Sequence, residues 1–174
     1  MTPTTLKVTD LSTYAGTWAL DPARTSVEFL TKAMWVLKVK GTMQVAEGSA
    51  TVAPDGALTG SLVLDTATID TKNKKRDTHL QTADFFEVQK YPTITFTATS
   101  GTPLPSGQME LVGELVIHGR SRPITVLADV TGSDTEATFT ATFDVDRSAW
   151  GLTWTKMGAA VANQVTVTAT FVKN

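Results

Sequence analysis

The chain has 174 residues, a formal charge of −2, 41% hydrophobic residues and no cysteine. That length predicts one domain able to bury roughly 70% of its unfolded surface. The composition excludes disulfides, thiol catalysis and cysteine-bound metals, gives no broad pull towards nucleic acid or anionic lipid, and includes no run of ~18 apolar residues for a membrane-spanning helix.

In chain order, residues 1–12 are polar and Thr-rich and are expected to be a frayed tail, with a single β domain over 13–174. The opening lacks a secretory-signal pattern. The cytoplasm is therefore the default expectation, with a periplasmic or secreted location following only if a leader had been removed. From Thr17 onwards the dominant pattern is period-two alternation, the mark of half-buried antiparallel strands. Ser26–Ala33 places Val27, Phe29, Thr31 and Ala33 on one face. "MWVLKVK" (Met34–Lys40) fits a helical turn or a bent strand, and strands resume over Lys40–Pro54. "SLVLDTATI" sets Leu62 and Leu64 inward. The one clear break is Asp70–Pro92, a charged stretch with Leu80, Ala83 and Phe86 near helical spacing, which predicts a short helical insert around 74–86 laid against the sheet. Alternation then resumes with Ile94, Phe96 and Ala98; Leu111, Gly113, Leu115 and Ile117; Ile124, Val126, Ala128 and Val130; Phe139, Ala141, Phe143 and Val145; and Val165, Val167, Ala169 and Phe171. Turn residues separate these runs at Pro54-Asp55-Gly56, Pro105-Ser106-Gly107, Gly119-Arg120 and Gly132-Ser133. Nine or ten antiparallel strands in one domain predict a closed barrel, which leaves no sheet edge. Inward Ala and Gly fit a hollow lumen or close sheet packing equally.

Few residues offer chemistry. Asp77, His79 and Asp84, with His118 as a remote partner, form the most enzyme-like group. No Cys nucleophile exists, no Ser sits in a G-x-S-x-G elbow, and the spacing is not one that zinc geometry demands. The favoured reading is structural: Asp77 caps the short helix, His79 bonds to backbone or a carboxylate, and Arg76 pairs with an acid. The run Lys72, Lys74, Lys75, Arg76 is a solvated loop rather than a phosphate site. The four tryptophans, Trp18, Trp35, Trp150 and Trp154, fit core and barrel plugs or, Trp150 and Trp154 above all, the rim of an apolar pocket, each offering a flat face and one N–H. "TKMGAAVANQ" (Thr155–Gln164) reads as a flap near a mouth.

"RTSVEFLTKA", "VKGTM", "TIDTKNKKRDTHLQTADFFEVQKYPTITF", "GELVIHGRSRPITV" and "DRSAWGL", in this order, resemble the YceI-like family, described as polyisoprenoid-binding and lipocalin-like. The resemblance runs from about Trp18 to Phe171. It implies an extended antiparallel lipocalin-like β-barrel whose lumen binds, carries or sequesters a long amphipathic isoprenoid, such as a polyprenyl lipid or an isoprenoid quinone. It implies no enzyme activity, no cofactor and no metal. Arg76, Asp77, His79, Leu80, Asp84 and Phe86 carry over as structural signature residues. The family pattern usually has a histidine where this chain has Ala33, which removes an imidazole from the inward face. Lumen and mouth positions expected to meet the ligand are Val27, Phe29, Ala33, Trp35, Leu64, Phe85, Phe96, Leu115, Phe143, Trp150, Trp154 and Val167. The alternatives are an enzyme acting on a lipid-like substrate through His79 and Asp84, and a stress-associated interaction barrel without a small ligand. The partner expected is an isoprenoid or other long-chain lipid, with no nucleic acid and no integral membrane segment; the oligomeric state stays open between monomer and homodimer.

Overall fold

The computed structural model describes residues 10–174. Nine strands follow in order: β1 (Gly16–Leu20), β2 (Ser26–Ala33), β3 (Leu37–Val52), β4 (Leu58–Asp70), β5 (Thr93–Pro103), β6 (Met109–Ile117), β7 (Arg120–Gly132), β8 (Glu136–Asp146) and β9 (Ala162–Lys173). One helix, α1 (Lys74–Leu80), lies between β4 and β5. The strands pair antiparallel in the order β1-β3-β2-β9-β8-β7-β6-β5-β4, and β3 pairs again with β4, which closes an eight-stranded barrel.

Closure leaves one strand over, and the register explains it. β2 joins the mouth-end half of β3 to β9, through Val27–Ala33 against Leu37–Met43 and Ser26–Leu30 against Gln164–Thr168. β1 makes the same join at the other end, through Gly16–Ala19 against Ser49–Val52 and Trp18–Leu20 against Phe171–Lys173. β1 and β2 therefore occupy one strand position in series, broken at Asp21–Thr25. Asp21 ends the break neatly: its carboxylate accepts from the Ala23 N–H and its carbonyl from the Thr25 hydroxyl.

The barrel floor is packed. Leu11, Trp18, Val52, Leu58, Met109 and Val130 form a buried cluster, flanked by Phe139 and Phe171 in an edge-to-face pair 5.9 Å apart. Residues 1–9 of the expected tail lie outside the described residues. Its last three do not fray: Asp10 caps a tight turn by accepting from the Ser12 N–H, and Leu11 is buried against the floor. Trp18 donates its indole N–H to the Tyr14 carbonyl, tying that turn to the barrel.

"MWVLKVK" is neither a helical turn nor a bent strand. It contains the tip of the β2–β3 hairpin, with Ala33 opposite Leu37 and Met34–Val36 as the loop, and then the start of β3. Inward Gly113 is not lumenal either. A Cβ there would collide with the Thr97 carbonyl and lie 2.9 Å from Ala98 Cα on the neighbouring strand, so this glycine admits a close approach of the paired β5 backbone. Gly113→Ala is expected to cost about 2 kcal/mol, because the obstacle is backbone and cannot rotate away. A denaturation midpoint equal to that of the parent would show that β5 and β6 can separate freely there.

Candidate functional site

Above the floor the barrel is hollow, with a cavity of about 730 Å³. Its wall is the inward face of the alternating strands. Val27, Phe29, Ala33, Leu64, Phe96, Leu115, Phe143 and Val167 all line it, and Phe85 and Trp154 line its upper end. Leu62, Leu64, Phe96, Phe143, Val165 and Val167 point inward yet are only half-buried, because they face empty space rather than each other. The Phe29 ring lies over Gly41 on the paired strand, where any Cβ would strike it.

Two tryptophans depart from expectation. Trp150 does not reach the cavity. It is 5% exposed, packs with Ile117, Val145 and Leu152, and donates its indole N–H to the Leu115 carbonyl (2.8 Å). It plugs the wall where the β7–β8 ladder, confined to Asp129–Gly132 against Ala137–Thr140, has run out. Trp35 does not line the cavity either; it projects from the hairpin tip, 74% exposed. A tryptophan count cannot separate wall plug, pocket rim and exposed tip, since all three use a flat apolar face with one N–H.

The upper end is roofed by the insert. α1 is seven residues long, too short to hold itself in water, and its ends are secured by side chains. Asn73, not Asp77, is the N-cap, accepting from the Arg76 N–H (3.0 Å). Asp77 instead accepts from both the N–H and the hydroxyl of Thr71. The helix stops at Leu80, and tight turns carry the chain through Phe85 and Phe86, so only the first half of the expected 74–86 insert is helical. Arg76 pairs with no acid; its guanidinium donates to the Thr71 hydroxyl and carbonyl, both at 2.8 Å. His79 Nε2 meets Asp84 Oδ2 at 2.8 Å, and the ring stands edge-on to Trp154 (4.7 Å) and Phe85 (5.2 Å). His118 is not its partner. It sits in the β6–β7 turn against Tyr91 and meets Glu87 at 3.2 Å. Beside the His79–Asp84 pair the Thr82 hydroxyl is already donated to the His79 carbonyl (2.6 Å), and no metal-binding cluster exists among the described residues.

Of the signature residues, Arg76, His79, Leu80 and Phe86 line the cavity, whereas Asp77 and Asp84 stand behind them as anchors. One lining residue has no signal in the strand alternation. Arg147 is 8% exposed and lines the cavity. Its guanidinium donates to three carbonyls, those of Ala160 (3.1 Å), Leu152 (2.6 Å) and Trp154 (2.6 Å), and lies over the Phe85 ring at 5.2 Å. Burial pulls its pKa down and neighbouring Asp146 opposes that, yet a guanidinium keeps its proton at any physiological pH. A permanent cation therefore stands inside an apolar chamber without a carboxylate bonded to it. Asp146 caps the turn Arg147–Trp150: the Ser148 hydroxyl and N–H donate to it and hold its carboxyl below the usual range. That turn was the available clue, as Asp before Arg and Gly151 after Trp150 mark a capped turn that buries what it holds.

The charges around the cavity are one-sided. Lys32, Lys75, Arg76, Arg147 and Lys156 line it, and no Asp or Glu does, although the chain has more acids than bases. All five belong to the roof and mouth: the hairpin tip, α1 and the segment after β8. The chamber can hold a long apolar body with an acceptor-rich or anionic end beneath α1.

Comparison with known proteins agrees with this architecture. The model of the YceI-like domain family matches residues 18–172. A UPF0312 protein of Vibrio cholerae is 31% identical over 113 residues, 64% of this chain and 60% of that protein; the chain thus matches about 60% of the length of that relative. A UPF0312 protein of Ectopseudomonas mendocina is 36% identical over 72 residues, 41% and 38% of the two chains. Among solved structures, BcnA of Burkholderia cenocepacia superposes with a TM-score of 0.78 at 21% identity, covering 87% of this chain and 98% of that one. A domain from Saccharophagus degradans, described as polyisoprenoid-binding and implicated in plant cell wall breakdown, gives 0.72 at 14% identity, covering 90% and 98%. At these identities the likeness is one of fold.

Proposed function

We propose, from the premise that this chain belongs to the YceI-like domain family, that its barrel binds a single long-chain isoprenoid lipid for carriage or sequestration. The apolar tail lies along the lumen from α1 to the Trp18 floor. The head lies under α1, within reach of Arg76 and Arg147. The observation that carries this reading is the cavity itself: about 730 Å³, apolar along its length, with every charged lining residue cationic and gathered at one end. The polyisoprenoid-binding description of the Saccharophagus degradans domain supports the same ligand class.

The energetics suit retention without chemistry. Each buried methylene contributes about 0.8 kcal/mol, so a long tail approaches the practical ceiling of about 20 kcal/mol for non-covalent binding even after ordering is subtracted. Ala33 stands on the inward wall where an imidazole would have offered a neutral hydrogen bond. The guanidinium groups take that role here, which favours a head rich in acceptor oxygens, a phosphate or a quinone, over bare hydrocarbon.

The test is extraction of lipid from protein purified without delipidation, identified by mass spectrometry, followed by titration of the delipidated protein. The probes are polyprenyl phosphate, an isoprenoid quinone and a hydrocarbon of equal length. A co-purified isoprenoid is expected, with the two headed lipids binding roughly tenfold or more tighter than the hydrocarbon. No extracted lipid and no saturable binding of any of the three would overturn the reading.

A further inference from the structure

The β2–β3 tip and the loop Thr155–Ala160 form one apolar prominence at the cavity mouth. Met34, Trp35, Val36 and Leu37 are consecutive and all exposed, Val36 by 82%, and Met157 beside them is 69% exposed. These are five of the eight large apolar residues that are exposed among the described residues. Bare apolar surface is therefore concentrated here rather than scattered, as it is on ordinary surfaces. The two loops are locked together: the Met34 N–H donates to the Met157 carbonyl (3.0 Å), the Trp35 N–H to Gly158 (3.2 Å), and the Ala160 N–H to Lys32 (2.9 Å). Gly158 lies against the Trp35 indole, where a Cβ would collide with the ring.

Three features of this tip work against stability in water. Met34 (φ +50°), Trp35 (φ +66°) and Met157 (φ +58°) are left-handed, a conformation that bulky L side chains avoid. Four neighbouring apolar side chains are solvated. Lys32 and Lys38 face each other directly across the hairpin, and like charges so placed repel. A tip selected for stability would carry Asn-Gly and opposite charges. Conflicts of this kind gather where a protein has something to do.

A lipid surface resolves the last two conflicts. Trp settles at membrane–water interfaces, and lysines behind an apolar tip strengthen binding to anionic head groups about fivefold each. The local charge is right despite the chain's net −2: residues 29–46 contain Lys32, Lys38 and Lys40, residues 147–164 contain Lys156 besides the buried Arg147, and neither segment has an Asp or Glu. Met34 and Met157 also line the cavity, so a lipid tail can pass from beneath the tip to the lumen along continuous apolar surface.

We propose that this tip is a membrane-docking element that seats the cavity mouth on an anionic bilayer for lipid transfer. Its purpose rests on the lumen reading above; docking itself stands on the tip alone. The full chain is titrated with vesicles of equal parts phosphatidylcholine and phosphatidylglycerol, and with phosphatidylcholine alone, by co-sedimentation and tryptophan emission. Trp18 and Trp150 are buried and Trp154 is half-buried, so Trp35 dominates the change in emission. A blue shift is expected on mixed vesicles, with binding roughly fivefold or more weaker without the anionic lipid. Val36→Asp, at a side chain the fold leaves in solvent, is expected to weaken docking about tenfold or more with an unchanged thermal midpoint, and Lys38→Glu to weaken it on mixed vesicles. Unchanged emission with vesicles, or wild-type docking by Val36→Asp, overturns the proposal. So does a blue shift that grows with protein concentration in the absence of vesicles, which assigns the tip to a second copy of the chain. Detergent-solubilised polyprenyl phosphate separates the two readings. Lumen binding retained by Val36→Asp with docking lost supports the proposal. Docking in a protein that binds no lipid in its lumen supports docking while sinking the lumen reading.

Discussion

Replacing Arg147 by methionine is expected to destabilise the protein by about 3 kcal/mol or more, placing it in the exceptional tail of single substitutions. Methionine matches the stem in length and apolar character, so little packing is lost. What is lost is the donor set. The carbonyls of Leu152, Trp154 and Ala160 turn inward around one guanidinium, and each carbonyl stranded out of reach of water costs about 1–3 kcal/mol. The same change removes the cation from over Phe85. Chemical denaturation measures the loss directly. Arg147→Lys is expected to fall between the two proteins, since an ammonium restores the charge but cannot span three acceptors held by a planar fork. A midpoint for Arg147→Met within about 0.5 kcal/mol of the parent would mean that water reaches these carbonyls, and that Arg147 does not organise the segment after β8.

Filling the lumen should have the opposite profile, with little effect on the fold and a large one on the ligand. Val167 lies midway along β9, opposite Val27 and Ala141, and is half-buried because it faces the cavity. Val167→Trp places an indole into space that holds no side chain, so stability is expected to stay within about 1 kcal/mol. If the indole displaces four methylenes of a bound tail, affinity falls by about 3 kcal/mol, roughly 200-fold. Titration of the delipidated variant with polyprenyl phosphate reads this out. Undiminished affinity would place the ligand outside the lumen.

These two residues differ in how far they could be foreseen. Alternation alone puts Val167 on the inward face, as it does Phe29, Leu64, Phe96 and Phe143. A pleated strand sends successive side chains to opposite faces, so a period of two is a local property that sequence carries directly. Arg147 gives no such signal, because a lone arginine ordinarily lies in water. Its burial depends on three carbonyls brought together by a turn and a loop. The helical insert is legible in the sequence, but its cap is not: Asn and Asp cap equally well, and only the fold sets Asn73 on the Arg76 N–H and gives Asp77 to Thr71. Trp35 and Trp150 both read as lumen or mouth positions, and the fold sends one to a tip and the other into the wall.

The sequence by itself determined an all-β chain, the inward face of nearly every strand, the position of the single insert and the YceI-like family, because these rest on short-range period and on a contiguous signature. The tertiary structure decided that β3 closes on β4, that β1 and β2 share one strand position, that the lumen is hollow rather than packed, and that its charged groups gather at one end. Each of these depends on pairing between residues far apart in the chain, and on whether facing side chains meet across the barrel, which alternation along one strand does not encode.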